Sequence, residues 1–394
     1  MYIAIPDEAM HAITQLNKAG YEAFVVGGCV RDALRGEEPD DWDITTSATP
    51  DEMKEVFFDH RVVESGTPHG TLTVIVGETP LEITTYRIDG DYSDGRHPDS
   101  VQFTRCLAED LRRRDFTINA MAYHPEIGLV DNHHGQEDLV AKTIRCVGVA
   151  EQRFDEDALR ILRALRFATT LDFTIEAQTE AALCQLAPAL TRVSGERIID
   201  EFYKMLRNNN AGRTMEKYKD VLSVILPELS YVTDFSLIQT MPKNMAARLA
   251  AIFWRTDYDA MEVAEALQQL RLNKKAINTV RLLLACREMP TETNYDLLRL
   301  LNRISPDLIW IYLTLRQVDD SLKQRVSNLL SNNACYKIPI LAVDGDDIIA
   351  AGIPSGPEVG RVLYALLDAV MEEKCPNRKE DLLNWIEQNE KPVQ

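Results

Sequence analysis

Asp41 and Asp43, separated only by Trp42, follow a Gly27-Gly28 pair and the dipeptide Arg31-Asp32 at close range. Carboxylates are hard oxygen donors. Two of them two residues apart on a strand point the same way, because side chains alternate, and form half a cage for a divalent cation. Two glycines at a strand end let backbone N–H groups approach a polyphosphate, and an arginine one turn into the following helix can add a bidentate contact. A nucleoside triphosphate would complete the coordination. Phosphoryl and nucleotidyl transfer need little covalent help from protein, only positioning and cations that stabilise charge on the attacking and leaving oxygens. Alone, the glycine pair reads as a tight turn and the aspartate pair as a solvated strand end; their joint spacing points to transfer chemistry. Asp41 and Asp43 are then the catalytic, metal-ligating pair.

The elements that must carry these residues follow from local pattern. Ala23-Phe24-Val25-Val26 reads as a buried strand that turns at Gly27-Gly28 into a helix near Cys29. Trp42-Asp43-Ile44 reads as the next strand, and Thr49-Pro50 as the cap and first turn of a helix over 50–57. Runs at 71–76 and 81–86 predict a hairpin, with Glu82 facing the aspartate pair as a candidate third carboxylate. Between Ile88 and Ser100 the polar stretch DGDYSDGRHPD predicts a loop. From Asp155 a helix is predicted through Phe167. Helical periodicity then continues to the end, with breaks near Pro188, residues 208–210, Pro227, Pro242, Pro290, Pro306 and residues 352–356. The shift from mixed to helical character near residue 148 marks a domain boundary.

In order along the chain, GG-x2-RD, DWDI, Glu109-Asp110-Leu111 running into Arg112-Arg113-Arg114-Asp115-Phe116-Thr117-Ile118-Asn119-Ala120, and Glu156-Asp157-Ala158-Leu159-Arg160 resemble one known signature. It is that of the DNA polymerase β-type nucleotidyltransferase superfamily, in the branch of class II CCA tRNA nucleotidyltransferases and bacterial poly(A) polymerases. The segment DGDYSDGRHPDSVQF resembles that branch's flexible loop, with Asp89, Asp94 and Arg96 kept, and Val193-Ser194-Gly195-Glu196-Arg197 resembles a weaker motif. The likeness covers about the first 200 residues; beyond that it is architectural only.

The resemblance implies an α+β fold. A small mixed antiparallel-sheet head (1–148) would carry catalysis, a helical neck (149–210) would read the base, and a helical body (211–334) and tail (335–394) would hold tRNA. It implies Mg²⁺ as cofactor, tRNA as partner, CTP and ATP as substrates, and no template nucleic acid, DNA or membrane. Gly28, Arg31, Arg114, Asp157, Arg160, Arg163 and Arg166 would bind the nucleotide, with Gly27 and Asn119 as further candidates. Arg112 and Arg113 are candidate RNA contacts. Three activities share these motifs: CCA addition, addition of part of CCA, and poly(A) synthesis. The intact loop and the segment Val63-Glu64-Ser65-Gly66-Thr67-Pro68-His69-Gly70-Thr71 favour full CCA addition. An inactive tRNA-binding homologue would have lost a metal carboxylate, and both are present.

Base choice has its own physical argument. Asp157, Arg160, Arg163 and Arg166 recur every three residues, which predicts one helix with neighbouring members on adjoining faces. An ionised aspartate only accepts hydrogen bonds and an arginine only donates them. Cytosine and adenine both present an amino donor beside a ring-nitrogen acceptor, whereas guanine and uracil present the reverse order. A fixed Asp157–Arg160 pair would therefore accept C and A and leave G and U with unsatisfied polar groups. Ordinary helix-surface ion pairing is the competing reading.

Composition bounds the rest. A chain of 394 residues with 45% hydrophobic residues can bury more than one core. The formal net charge of -19 predicts weak non-specific RNA binding and places any RNA contact on local basic clusters. Seven scattered cysteines predict reduced thiols, with neither a disulfide framework nor a zinc site. No long apolar run or signal-like start is seen, so a cytoplasmic location is expected. His133-His134-Gly135 reads as a turn, and His69 as part of a strand-linking turn. The absence of a His-Asp cluster in the C-terminal half predicts no phosphohydrolase activity.

Overall fold

The computed structural model describes residues 2–64, 66–90 and 100–390. They gather into two compact units, Met1–Ser230 and Tyr231–Gln394.

The first unit opens with α1 (Asp7–Lys18), whose buried Ala9, Ala12, Ile13 and Leu16 form one apolar stripe. Then come β1 (Ala23–Val26), α2 (Gly28–Leu34), β2 (Ile44–Thr46), α3 (Pro50–Val56), β3 (Arg61–Val63), β4 (Thr71–Val76) and β5 (Thr79–Thr85). Next are β6 (Arg87–Asp89), β7 (Val101–Phe103), α4 (Leu107–Arg112), β8 (Ala122–His124), β9 (Gly128–Val130), α5 (Gly135–Val140) and β10 (Thr143–Ile144). Seven strands make one mixed sheet in the order β3-β4-β5-β2-β1-β8-β9, parallel only where β2 meets β5. All four residues of β1 are buried, as a central strand requires. Phe24, Val26, Tyr86, Leu107, Leu111 and Ala122 form a buried apolar cluster.

Helices complete this unit: α6 (Ala150–Glu156) and α7 (Leu159–Leu171), then, after a short β11 (Thr174–Ile175), α8 (Ala177–Leu186), α9 (Gly195–Leu206), α10 (Ala211–Lys217) and α11 (Lys219–Leu222). The expected strand pair and helix around 71–86 and 50–57 are present. Thr49 and Glu52 form the capping box that starts α3, with Pro50 in its first turn.

Three expectations are corrected. The strand over residues 42–44 begins only at Ile44, so Asp41 and Asp43 lie in the extended segment leading into β2. The helix expected from Asp155 to Phe167 is two helices. Asp157, with φ -144 and ψ 101, breaks it, and its Oδ1 accepts from the Leu159 amide at 3.1 Å. Asp89 is a strand residue rather than a loop residue, because β6 pairs with β7 across Asp89↔Val101. Asp94 and Arg96 lie outside the described residues.

The second unit is helical, from α12 (Met245–Phe253), every residue of which but Met245 is buried, to α20 (Lys379–Asn389). Asp259 with Glu262, Thr293 with Asp296, and Asp344 with Asp347 form capping boxes, and Pro306 stands in the first turn of its helix. All seven cysteines are free thiols, and no described helix is long and apolar enough to cross a membrane.

The His133-His134-Gly135 turn is held by Asp131, whose Oδ1 accepts from the Gly135 amide at 2.8 Å and whose Oδ2 accepts from Gln136 at 2.9 Å. A Cβ on Gly135 would lie 2.2 Å from the Thr117 carbonyl oxygen, so only glycine fits between α5 and the 3-10 turn Thr117–Asn119. Gly135→Ala is expected to lower unfolding free energy by about 2 kcal/mol or more in a urea titration, the scale of an overpacked backbone contact. An unchanged midpoint would contradict this packing.

Candidate active site

The turn after β1 brings the first group of predicted residues together. Gly27 has φ +84, which an L side chain rarely adopts, and its amide donates to the Met121 carbonyl at 3.1 Å. A Cβ there would stand 3.1 Å from Arg114 Nη1, so the glycine also makes room for that guanidinium. Gly28 opens α2. Arg114 is anchored by Asp110, whose Oδ2 accepts from its Nη2 at 3.2 Å. Asp110 is fully buried and also binds Arg113 and Thr45.

Asp43 is joined to this group through the backbone, its carbonyl accepting from the Val26 amide at 3.0 Å. The register Ile44↔Ile83 between β2 and β5 sets the preceding Asp43 beside Glu82. Burial pushes the Asp43 carboxyl up to about 6; the negative charges of Asp41 and Glu82 push the same way, and only Arg114 opposes them. A carboxyl held this far above its ordinary range beside two other carboxylates gains from a nearby cation. The donor set therefore fits a hard divalent ion. Among the described residues no group of three or more His, Cys, Asp or Glu side chains could by itself hold a metal ion.

A second group surrounds Asp115. Arg31 donates from Nη1 to Asn119 Oδ1 at 2.7 Å and grips Asp32 at 2.9 and 2.6 Å. Asn119 donates onward to Asp115 Oδ1 at 3.1 Å, and Arg163 forks onto Asp115 Oδ2 at 2.8 and 2.6 Å. Arg166 Nε lies 2.5 Å from Glu201 Oε2, and Arg163 Nη1 lies 3.7 Å from Glu201 Oε1. Burial alone would raise the Asp115 carboxyl, but the charge and hydrogen bonds of Arg163, with the amide of Asn119, hold it down at about 2. The expected nucleotide-binding residues Arg31, Asn119, Arg163 and Arg166 thus share one cluster drawn from α2, the Asp115 segment and α7.

Asp157 and Arg160, the residues expected to read the base, are each held by other groups. Asp157 accepts a two-pronged contact from Arg197, at 3.2 and 2.7 Å, and Arg160 donates to Glu156 Oε2 at 2.6 Å and to the carbonyls of Arg153 and Arg113, each at 3.1 Å. The physical reason is the break at Asp157, which takes its side chain off the face of α7 and toward α9. Arg197 was visible in sequence only as part of a weak motif. Asp115 was visible as part of the second motif, whereas the roles of Glu201 and Phe167 had no sequence signal.

Asp89, one of the three residues of the expected loop signature, is held by Arg87 at 3.0 Å and lies 3.6 Å from Arg113. It borders a cleft of about 320 Å³ lined by Ile88, Glu109, Arg112, Arg113, Arg153 and Glu156. Arg113 is thereby tied into the protein, whereas Arg112 is exposed.

A head sheet that presents paired carboxylates beside a phosphate-sized glycine turn, followed by helices whose arginines reach back to it, defines a nucleotidyltransferase of the polymerase β type. Residues 23–145 match the profile of the "Poly A polymerase head domain", and residues 172–232 that of the "Probable RNA and SrmB- binding site of polymerase A". Over residues 242–386 the chain matches a second domain of tRNA nucleotidyltransferases. The CCA-adding enzyme of Leuconostoc mesenteroides is 37% identical with 92% of each chain covered, and that of Geobacillus thermodenitrificans is 36% identical with 96% of each covered. The crystal structure of the Bacillus stearothermophilus CCA-adding enzyme in complex with CTP superposes with a TM-score of 0.76 at 30% identity, covering 97% of both chains. This chain belongs to the family of CCA-adding enzymes, the CCA tRNA nucleotidyltransferases.

The raised Asp43 carboxyl makes a stability prediction for metal-free protein. The folded state binds this proton more tightly than the unfolded chain, so stability falls as pH rises from the ordinary 3.8 to about 6 and stays reduced above it. Asp43→Asn in chelator is expected to be more stable than wild type by about 2 kcal/mol at pH 8, with the gain vanishing below about pH 4. A destabilised Asn variant at pH 8 would contradict the carboxylate crowding.

Proposed function

We propose that this protein adds CCA to the 3′ end of tRNA from CTP and ATP, releasing pyrophosphate and using no nucleic-acid template. The observation that carries the reading is the joining of carboxylate pair and arginine helix by one segment: Asp110 to Asn119 holds Arg114 against the glycine turn, Arg163 through Asp115, and Arg160 through the Arg113 carbonyl. Head and neck residues expected for phosphate binding and base reading therefore share one framework.

Asp41 and Asp43, with Glu82 nearby, would hold the divalent cation, read here as Mg²⁺. That ion supplies stabilisation of charge on the attacking and leaving oxygens. The turn at Gly27-Gly28 and Arg114 seat the triphosphate, and Arg31, Arg163 and Arg166 neutralise it from the side of α7. The 3′ hydroxyl of the tRNA is then positioned for in-line attack on the α-phosphate, and pyrophosphate leaves. Asp157 accepts from the amino group of C or A while Arg160 donates to the neighbouring ring nitrogen. Arg197 offsets the aspartate's charge so that it can stand against a base in a water-poor site. The second compact unit takes the body and tail roles and binds the tRNA, with the segment carrying Asp89, Asp94 and Arg96 adjusting the site between C and A.

The direct test incubates purified protein with a tRNA lacking its 3′ CCA, Mg²⁺, and CTP, ATP or both, with products resolved to single nucleotides. Arrest at CCA is expected when both nucleotides are present. A CC-only, A-only or long poly(A) product would assign the sister activity instead. Asp41→Ala is expected to lower the rate by about a thousandfold, a loss of several kcal/mol of transition-state stabilisation. Near-wild-type activity of that variant would remove the metal role of Asp41.

Asp157→Ala or Arg160→Ala is expected to weaken discrimination against UTP and GTP by about tenfold or more, measured as ratios of kcat/KM. Unchanged rejection of both nucleotides would refute the base-reading roles.

A further inference from the structure

Phe167 lies on α7, four residues after Arg163 and one after Arg166, and its ring is buried. The Arg166 guanidinium carbon stands 3.8 Å from the ring centroid, Arg31 reaches it at 5.2 Å from α2, and Arg163 at 5.5 Å. Phe116 closes the remaining side edge-on, with centroids 5.8 Å apart. Three cations gathered around one ring repel one another. Asp32, Asp115 and Glu201 offset that repulsion, and the negative face of the ring adds an attraction for guanidinium carbon that strengthens when water is excluded.

The carboxylates do a different job. Asp32, Asp115 and Glu201 each hold a guanidinium by its edge and leave its face uncovered. A flat cation resting on a flat ring is held on its face as well. An aliphatic side chain would fill the same space without offering a face.

We propose that Phe167 is a positioning residue for the triphosphate: its ring holds Arg31 of the head and Arg163 and Arg166 of α7 in one orientation toward the phosphates. The inference rests on the nucleotide-binding roles proposed above for those arginines. The ring of Phe167 stands against Arg31, Arg163, Arg166 and Phe116, none of them assigned here to reading the base, so its effect is the same for CTP and ATP. Phosphate contacts made alike in the ground and transition states act on KM rather than kcat.

The test measures nucleotide kinetics on the full-length protein with Phe167→Leu. KM for CTP and for ATP is expected to rise by the same factor, about tenfold, for loss of the ring's hold on three guanidiniums. Turnover at saturation is expected to stay within about twofold, with UTP and GTP rejection unchanged. Pentafluorophenylalanine at position 167 keeps size and burial but removes the negative face; it is expected to reproduce the KM increase, and it serves alone where the leucine variant fails to fold. Nucleotide KM values like wild type in the fluorinated protein, or a change for one nucleotide only, would overturn the proposal. If wild-type protein assayed beside them added no nucleotide to tRNA, the proposed function itself would fall.

Discussion

A buried carboxylate, Asp115, is the constraint on which the site's geometry depends. It lies 8% exposed and accepts from the Phe116 amide, Asn119 and both prongs of Arg163. Taking such a charge out of water is expensive, and it is tolerated because every lone pair finds a donor and one donor is a full cation. The depressed carboxyl, at about 2, shows that attraction outweighs burial. Its stabilising contribution is complete above the ordinary carboxylate range and is lost only as pH falls toward that value. Because Arg163 sits on α7 and Asn119 clasps Arg31 on α2, this one ion binds the helix after the head to the glycine turn within it.

From that clasp follows the electrostatic character of the whole site. Arg31 is matched by Asp32, Arg114 by Asp110, Arg163 by Asp115, Arg166 by Glu201, Arg160 by Glu156 and Arg197 by Asp157. The arginines are oriented before any ligand arrives, which spares the ordering cost of binding. They are also neutralised, in keeping with a chain whose formal net charge is -19.

Much of this was legible in the sequence because it is local. A four-residue apolar run ending in Gly-Gly specifies a central strand and a phosphate-sized turn, and Thr49-Pro50 with Glu52 starts a helix by its own hydrogen bonds. The ordered motifs likewise marked most candidate site residues. What could not be read is partnership. Spacing of three placed Asp157 and Arg160 on one helix, but the backbone breaks at Asp157 and Arg197 holds its side chain, and nothing in a one-dimensional pattern records a contact 40 residues away. Equally, Phe167 marked only the end of a predicted helix, and the fold sets Arg31 of α2 beside its ring.

The most direct measurement of this account is a double-mutant cycle on unfolding free energy with Asp115→Ala, Arg163→Ala and the pair. Removing either partner strands a buried charge, so the single changes are expected to be severe and the double change scarcely worse than either. A coupling of about 2 kcal/mol or more is the result the clasp requires. Additive losses, within about 0.5 kcal/mol, would show that Asp115 does not hold α7 to the head.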